Sequence, residues 1–389
     1  MAYSSMQQQE RVRNGIAAGL GALIALPSVT YLLLLILLFP RFMQARPLMK
    51  VNSSNLKLIY FLILSLAACS LGVLAGNSEA EKYALRIGVC IFGALLVFLT
   101  AHRQSISTLK IFLRFMIIAA LINSVVVIIT AISPDIYLSL RISDFSGFDK
   151  TPRPFRSPGL FRGYDTSGAF MCIALAATPV ILRPTSNKNY ITIIAISLLS
   201  LACMLSSRTS MLIFLMTALI CATFYRGNHL RAYRLFLLIT AVIFAAISLY
   251  IISISLFNLS IFTPPQILQE FVPRNISLYY NVGTNDYLRH HRILDIDLFP
   301  SETSFLPDNF FSRAGLSLGA VGLIGALIPI IYMSASMLIA YRGNLRYFCL
   351  ALIFILFAMN FKNNYFFFLP FFTIFCFTFA TRPFKPSSG

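Results

Sequence analysis

The stretch IFLRFMIIAALINSVVVIITAIS, residues 111–133, decides the fold class. Its only charged side chain is Arg114, near the start, and everything after it is apolar or small and neutral. A helix of about 20 such residues crosses the roughly 30 Å hydrocarbon core of a bilayer. Similar runs recur at 15–39, 56–76, 84–100, 167–182, 189–206, 209–225, 235–262, 314–341, 345–361 and 364–380. Of the 389 residues 58% are hydrophobic and 11% charged, and the mean hydropathy is +0.80. A soluble chain of this length needs far more surface charge. The sequence therefore predicts an all-α polytopic membrane bundle of about 11–12 transmembrane helices, forming a single domain over 1–389. Two hydrophilic stretches, about 134–166 and 263–313, interrupt the pattern as large loops.

Basic residues set the orientation, because Lys and Arg concentrate in cytoplasmic loops. With both large loops outside, the inner ends carry Arg41, Arg46, Lys50 and Lys57; Arg103, Lys110 and Arg114; Arg183 and Lys188; Arg226, Arg231 and Arg234; Arg342 and Arg346; and Arg382 and Lys385. Of the 13 acidic residues only Glu10 then lies inside. Glu79 and Glu81 fall in a short outer loop and are read as solvated.

The N-terminal run leaves two readings open. Pro27-Ser28 interrupts Gly15–Phe39, so the run is either a hairpin of two short helices, with both termini inside, or one span with an outward N-terminus. Arg11 and Arg13 favour the hairpin. Met1–Asn14 is polar, and no small-residue cleavage site follows at a suitable distance, so no removable signal peptide is expected. The 7 cysteines all sit within apolar runs, without a C-x-x-C pair, and are expected to be small packing residues. The net charge of +18 is dispersed among membrane loops, and no basic face alternates with aromatics as a nucleic-acid platform would. Inner Lys and Arg instead meet anionic lipid headgroups.

The outer cations oppose the charge bias, and so call for a counterion. They are Arg141, Lys150, Arg153, Arg156 and Arg162 in the first loop, Arg208 between two spans, and Arg274, Arg289, Arg292 and Arg313 in the second. Guanidinium forks suit phosphate oxygens, and a lipid-linked pyrophosphate at the membrane face fits them. The outer acids are the alternative partners. Tyr279, Tyr280 and Tyr287 are placed either to stack on sugar faces or to anchor the interface. Phe366–Phe368 is read as lipid-facing packing. Asp295-Ile-Asp297 has the D-x-D form of nucleotide-sugar enzymes, but so short a triplet arises by chance, and no metal site is read from it.

Three segments resemble the O-antigen polymerase and ligase superfamily. Arg156-Ser-Pro-Gly159-Leu-Phe-Arg162-Gly-Tyr-Asp165-Thr-Ser-Gly168 looks like its outer-loop arginine/glycine segment. Ser206-Ser207-Arg208-Thr209 resembles its S-R junction between spans. Asp308-Asn309, followed after nine residues by Gly319-Ala-Val-Gly322, resembles the ligases' His-Asn…G-x-x-G, with Asp in place of His. The resemblance implies a helical membrane glycosyltransferase fold of the lipid-linked-donor (GT-C-like) type and periplasmic chemistry at a bacterial inner membrane. It further implies undecaprenyl-pyrophosphate-linked oligosaccharides as substrates, no cofactor or obligatory metal, and a chain-length regulator protein as a partner beside the membrane lipids. The reaction needs the leaving pyrophosphate stabilised and the acceptor hydroxyl's proton removed. Arg156, Arg162, Arg208, Arg274, Arg289, Arg292 and Arg313 are candidates for the first task. Asp308, His290, His291 and Glu302 are candidates for the second, while Asp308 also suits a helix cap. Asp308 shifts the expectation from ligase to polymerase. An O-antigen ligase and a non-enzymatic lipid-linked oligosaccharide flippase are the competing readings.

Overall fold

The computed structural model describes residues 2–25, 53–100, 106–133, 157–161, 163–181, 189–226, 230–257, 310–361 and 365–383, with single residues at 36, 40 and 136. Among the described residues the structure is helical, without a strand. The helices are α1 (Ala2–Leu23), α2 (Ser53–Leu74), α3 (Ser78–Thr100), α4 (Ile106–Ile132), α5 (Tyr164–Ile181), α6 (Asn189–Ser206), α7 (Arg208–Phe224), α8 (Arg231–Phe257), α9 (Phe310–Ala340), α10 (Gly343–Asn360) and α11 (Leu369–Ala380). Five of them, α2, α4, α5, α9 and α10, are long and apolar enough to cross a membrane. Shorter apolar stretches lie in α6, α7, α8 and α11.

Helix α5 is the centre. Thr166–Val180 are all buried, packed against α4, α6, α7 and α10. Small side chains make this possible, since Gly168, Ala169, Ala174, Ala176 and Ala177 let neighbouring backbones approach. Pro179 lies inside the helix and has no N–H to give to Leu175 O. Tyr233 Oη donates to that carbonyl at 2.8 Å, and Tyr225 Oη donates to Ala176 O at 2.5 Å. The two phenols thus supply donors beside a proline, where water is excluded.

The outward faces are as apolar as the core. Leu56, Tyr60, Ile63, Leu71 and Leu74 point out from α2; Ile118, Ile122, Val125 and Ile129 from α4; and Leu235, Leu238, Ile239 and Val242 from α8. Soluble monomers rarely expose contiguous apolar areas above a few hundred Å². Helices that bury their backbone polar groups internally and face outward with Leu, Ile and Val are matched to lipid. The chain is a helical membrane protein.

Charge sorts between the two ends of the bundle. At one end Tyr332 Oη reaches Ser54 O at 3.3 Å, Tyr341 Oη donates to Thr378 O at 2.8 Å, and Arg226 N meets Asn344 Oδ1 at 3.4 Å. Lys57, Lys110, Arg226, Arg231, Arg342, Arg346 and Arg382 belong to the helix termini gathered there. The opposite end holds the described acidic residues other than Glu10, namely Glu79, Glu81 and Asp165, together with Lys82, Arg86, Arg208 and Arg313.

The polar N-terminal lead is itself helical, since α1 begins at Ala2. It runs beside α4 in parallel. Thr108 Oγ1 bonds Asn14 Oδ1 at 3.3 Å, and a Cβ on Gly21 would run into Phe112 O and lie 3.1 Å from Met116 N. Asn14 therefore stands at the basic end of the bundle. The helix stops at Leu23, beside the first half of α4, with a turn at Ile24–Ala25. The described helix thus ends before Pro27-Ser28, where the sequence interrupts the run. The returning arm that the hairpin requires lies outside the described residues.

Two sequence expectations are corrected. Phe366 and Phe367 are buried, with Phe366 meeting Phe310 and Phe357 edge-on at 5.1 and 4.9 Å. They sit in the turn between α10 and α11, which folds inward because Asn360 Oδ1 accepts from Tyr365 N (2.9 Å) and Phe366 N (3.2 Å). Glu79 is not solvated either. Only Glu81 of that pair is exposed, while Glu79 is buried between two cations. All seven cysteines are free and buried, as packing residues should be.

Candidate functional site

The end of the bundle opposite the basic termini joins the sequence segments singled out above. Ser157 follows Arg156, and its N–H donates to Leu205 O of α6 at 3.0 Å. Its hydroxyl lies 2.5 Å from Thr130 Oγ1 of α4 and accepts from Gly159 N at 3.0 Å. Gly159 has φ 59, a left-handed conformation that glycine tolerates, and a Cβ there would collide with Asn123 Oδ1. Asn123 is fully buried in α4. Its Oδ1 accepts from Leu160 N at 2.8 Å and its Nδ2 donates to Ser167 Oγ at 2.9 Å. One amide thus pins the Ser157–Phe161 segment to the first turn of α5.

The S-R junction is built onto the same corner. Ser207 is the N-cap of α7, with its hydroxyl accepting from Ser210 N at 3.0 Å. Arg208 is the first residue of α7. Gly168 of α5 lies directly on Ser210, where any Cβ would overlap the serine side chain. The first and second motifs, about forty residues apart in sequence, therefore form one unit at the heads of α5 and α7. Tyr365 closes it from the α10–α11 turn. Burial pushes its phenol above the usual tyrosine range, the Asp165 carboxylate adds to that push, and a hydrogen bond with Thr166 opposes it.

The third motif shapes α9. Gly319, with φ 70 and ψ 177, breaks the helix into 310–318 and 320–340. Backbone with positive φ is open to glycine and costly for other residues. The break lets the head of α9 turn towards α3, while the longer part packs on α2. In that contact Ser65 Oγ reaches Gly325 O at 2.5 Å, and a Cβ on Gly325 would lie 2.8 Å from Ala68 Cβ. In the head, Arg313 Nε donates to Glu79 Oε2 at 3.1 Å, and Lys82 Nζ pairs with Glu79 Oε1. Burial works to raise the Glu79 carboxyl, but Lys82 and Arg313 outweigh it and hold it below its ordinary range. Glu79 precedes the apolar run at 84–100.

Of the residues singled out from sequence, Arg313 is placed with its contacts, and Arg208 by its position at the helix head. Arg156, Arg162, Arg274, Arg289, Arg292, His290, His291, Asp308 and Glu302 lie outside the described residues, as do Tyr279, Tyr280, Tyr287, Asp295 and Asp297. Arg156 and Arg162 do flank the described segment on either side. Sequence reasoning missed Asn123, Glu79 and Tyr365. A lone Asn inside an apolar run was the available signal for the first. The contacts of the other two depend on partners about two hundred residues away, a distance no local pattern spans. No protein family, curated protein or solved structure matches the chain.

Proposed function

We propose that the chain is a metal-independent membrane glycosyltransferase, a polymerase of O-antigen or related surface polysaccharide. It would join undecaprenyl-pyrophosphate-linked repeat units at the periplasmic face of a bacterial inner membrane. One observation carries the reading: the Arg156–Gly168 segment and the Ser206–Thr209 junction, remote in sequence, are held together by the Ser157 N–Leu205 O bond and by the Gly168–Ser210 contact. Arg208 heads α7 at this corner, and in the sequence Arg156 and Arg162 border the segment held there. A pyrophosphate leaving group with its charge spread over several oxygens is the ligand such a corner serves, since guanidinium groups stabilise it without a metal. On this reading Asp308, at the approach to α9, accepts the acceptor hydroxyl's proton, with His290 and His291 as the other candidates.

Deletion of the gene tests the reading. A polymerase mutant leaves one repeat unit on the lipid core and no longer chains. Loss of every attached repeat would replace the polymerase with a ligase or flippase.

A further inference from the structure

The facing heads of α3 and α9 are not used by the corner just described. Glu79 and Tyr83 are four residues apart on one face of α3, and Arg313 and Ser317 are four apart on one face of α9. The outer pair, Glu79 and Arg313, is joined at 3.1 Å through Nε. One turn further in, Tyr83 and Ser317 are 2% and 0% exposed, and neither hydroxyl finds a hydrogen-bond partner among the described residues. Tyr83 packs edge-on against Phe310, the first residue of α9, at 6.0 Å. Its hydroxyl feels the charges of Arg313, Arg86 and Glu79. Lys82 and Arg86 stand exposed on the same helix head. Two cations, Lys82 and Arg313, thus share one carboxylate, and Arg86 stands further along the same helix. Glu79 occupies Arg313 through Nε, leaving the two Nη groups as a fork, and the Arg313 side chain remains 27% exposed.

A buried hydroxyl without a partner costs about 1–3 kcal/mol. The two lie one turn inside a carboxylate already taken by Lys82 and Arg313, so the described residues leave both donors without an acceptor. We propose that the heads of α3 and α9 form a binding site for the phosphate of a lipid headgroup, in which Arg313 is the fork, Glu79 is the positioning residue that fixes its orientation, and the Tyr83 hydroxyl is a further donor. The site stands on its own geometry. Only the choice of the carrier pyrophosphate over bulk anionic lipid rests on the polymerase reading. Were both right, Glu79 would position an arginine beside the approach from Asp308. Its buried carboxylate is too well paired with cations to act as the base itself.

The test uses the full chain in phosphatidylcholine nanodiscs, with binding of radiolabelled undecaprenyl pyrophosphate as the readout. Arg313→Lys keeps the ion pair and loses the fork, and is expected to weaken binding about tenfold, the worth of one charge-assisted hydrogen bond. Tyr83→Phe keeps the ring and is expected to weaken it about threefold to tenfold. The reciprocal exchange E79R/R313E restores the ion pair but moves the guanidinium to the wrong helix. It should fold, judged by an unchanged melting temperature, yet bind no better than Arg313→Lys. Competition by inorganic pyrophosphate but not by phosphatidylglycerol assigns the site to the carrier, while equal competition by phosphatidylglycerol assigns it to bulk anionic lipid. Unchanged binding in Arg313→Lys, or full binding in E79R/R313E, overturns the site and leaves a structural ion pair. Neither result touches the polymerase reading, which the gene deletion decides separately.

Discussion

Asn123→Ala is the most informative perturbation of the corner at the heads of α5 and α7. The wild-type amide makes two buried hydrogen bonds, accepting from Leu160 N at 2.8 Å and donating to Ser167 Oγ at 2.9 Å. In membrane proteins side-chain hydrogen bonds average about 0.6 kcal/mol, so the pair alone is worth about 1 kcal/mol. The truncation also strands two groups, the Leu160 N–H and the Ser167 hydroxyl, each costing about 1–3 kcal/mol if no water reaches it. Leu160 is half-buried and Ser167 fully buried, so the second is the harder to rescue. A loss of about 1–4 kcal/mol is expected, read as a lowered melting temperature of the detergent-purified chain. Activity should fall further than stability does, because the amide fixes the segment between Arg156 and Arg162. Chain extension measured at a temperature where the variant is still folded isolates that effect. A folded Asn123→Ala protein that extends chains at the wild-type rate would refute the claim that this segment is held for function.

Four other outcomes follow from the same structure. Gly159→Ala should destabilise the chain and mimic Asn123→Ala, since a Cβ there meets Asn123 Oδ1 at a φ of 59; an unaffected melting temperature would contradict the geometry. Cysteines introduced at Ser146 and Thr284 should react with a membrane-impermeant thiol reagent in whole cells, and one at Asn228 should not; the reverse pattern inverts the topology. Because the Glu79 carboxyl is held below its ordinary value of 4.5, its ion pairs are intact at neutral pH and lost as pH falls through that lowered value. Glu79→Gln should therefore remove part of the acid-side loss of stability, and an identical acid midpoint in wild type and variant would show that the pair contributes nothing. Arg208→Lys, with its charge kept and its fork removed, should lose most chain extension at normal protein level, whereas Arg346→Lys at the basic end should be silent.

The helices were legible because membrane helices are long and their signal accumulates. The runs read at 189–206 and 345–361 became Asn189–Ser206 and Gly343–Asn360, within a residue or two at either end. The N-terminus was less legible, because hydropathy sees where a chain enters lipid and not where a helix begins. Ala2–Asn14 is polar, yet it continues the same helix beyond the apolar part. Glu79 was misread for a related reason. Sequence places a charge near the end of a run, but whether it meets water depends on what the neighbouring helix presents, and Arg313 arrives from 234 residues away. The glycines show the same division. G-x-x-G at 319–322 is visible in the sequence, but the helix break at Gly319 and the crowding of Gly322 by Leu318 are different uses of the two glycines, and only the folded chain separates them.

The last expectation concerns Asp308, which the sequence places two residues before α9 begins. If it takes the acceptor's proton, Asp308→Asn should lower chain extension by about 10²–10⁴-fold, the usual worth of a general base, with protein level unchanged. Asp308→Glu should retain part of the activity. A cap behaves otherwise, because Asn caps a helix about as well as Asp. On that account Asp308→Asn is silent and Asp308→Ala lowers the melting temperature. The break at Gly319 sharpens the comparison. The head of α9 is only about two turns long before the break, and so short a helix depends strongly on its cap and on the Arg313–Glu79 tether. Lost capping should therefore be amplified in an Arg313→Gln background, where the tether is gone, while lost proton transfer should be independent of it. An Asn variant that extends chains normally in both backgrounds removes Asp308 from the chemistry and moves the search to His290 and His291.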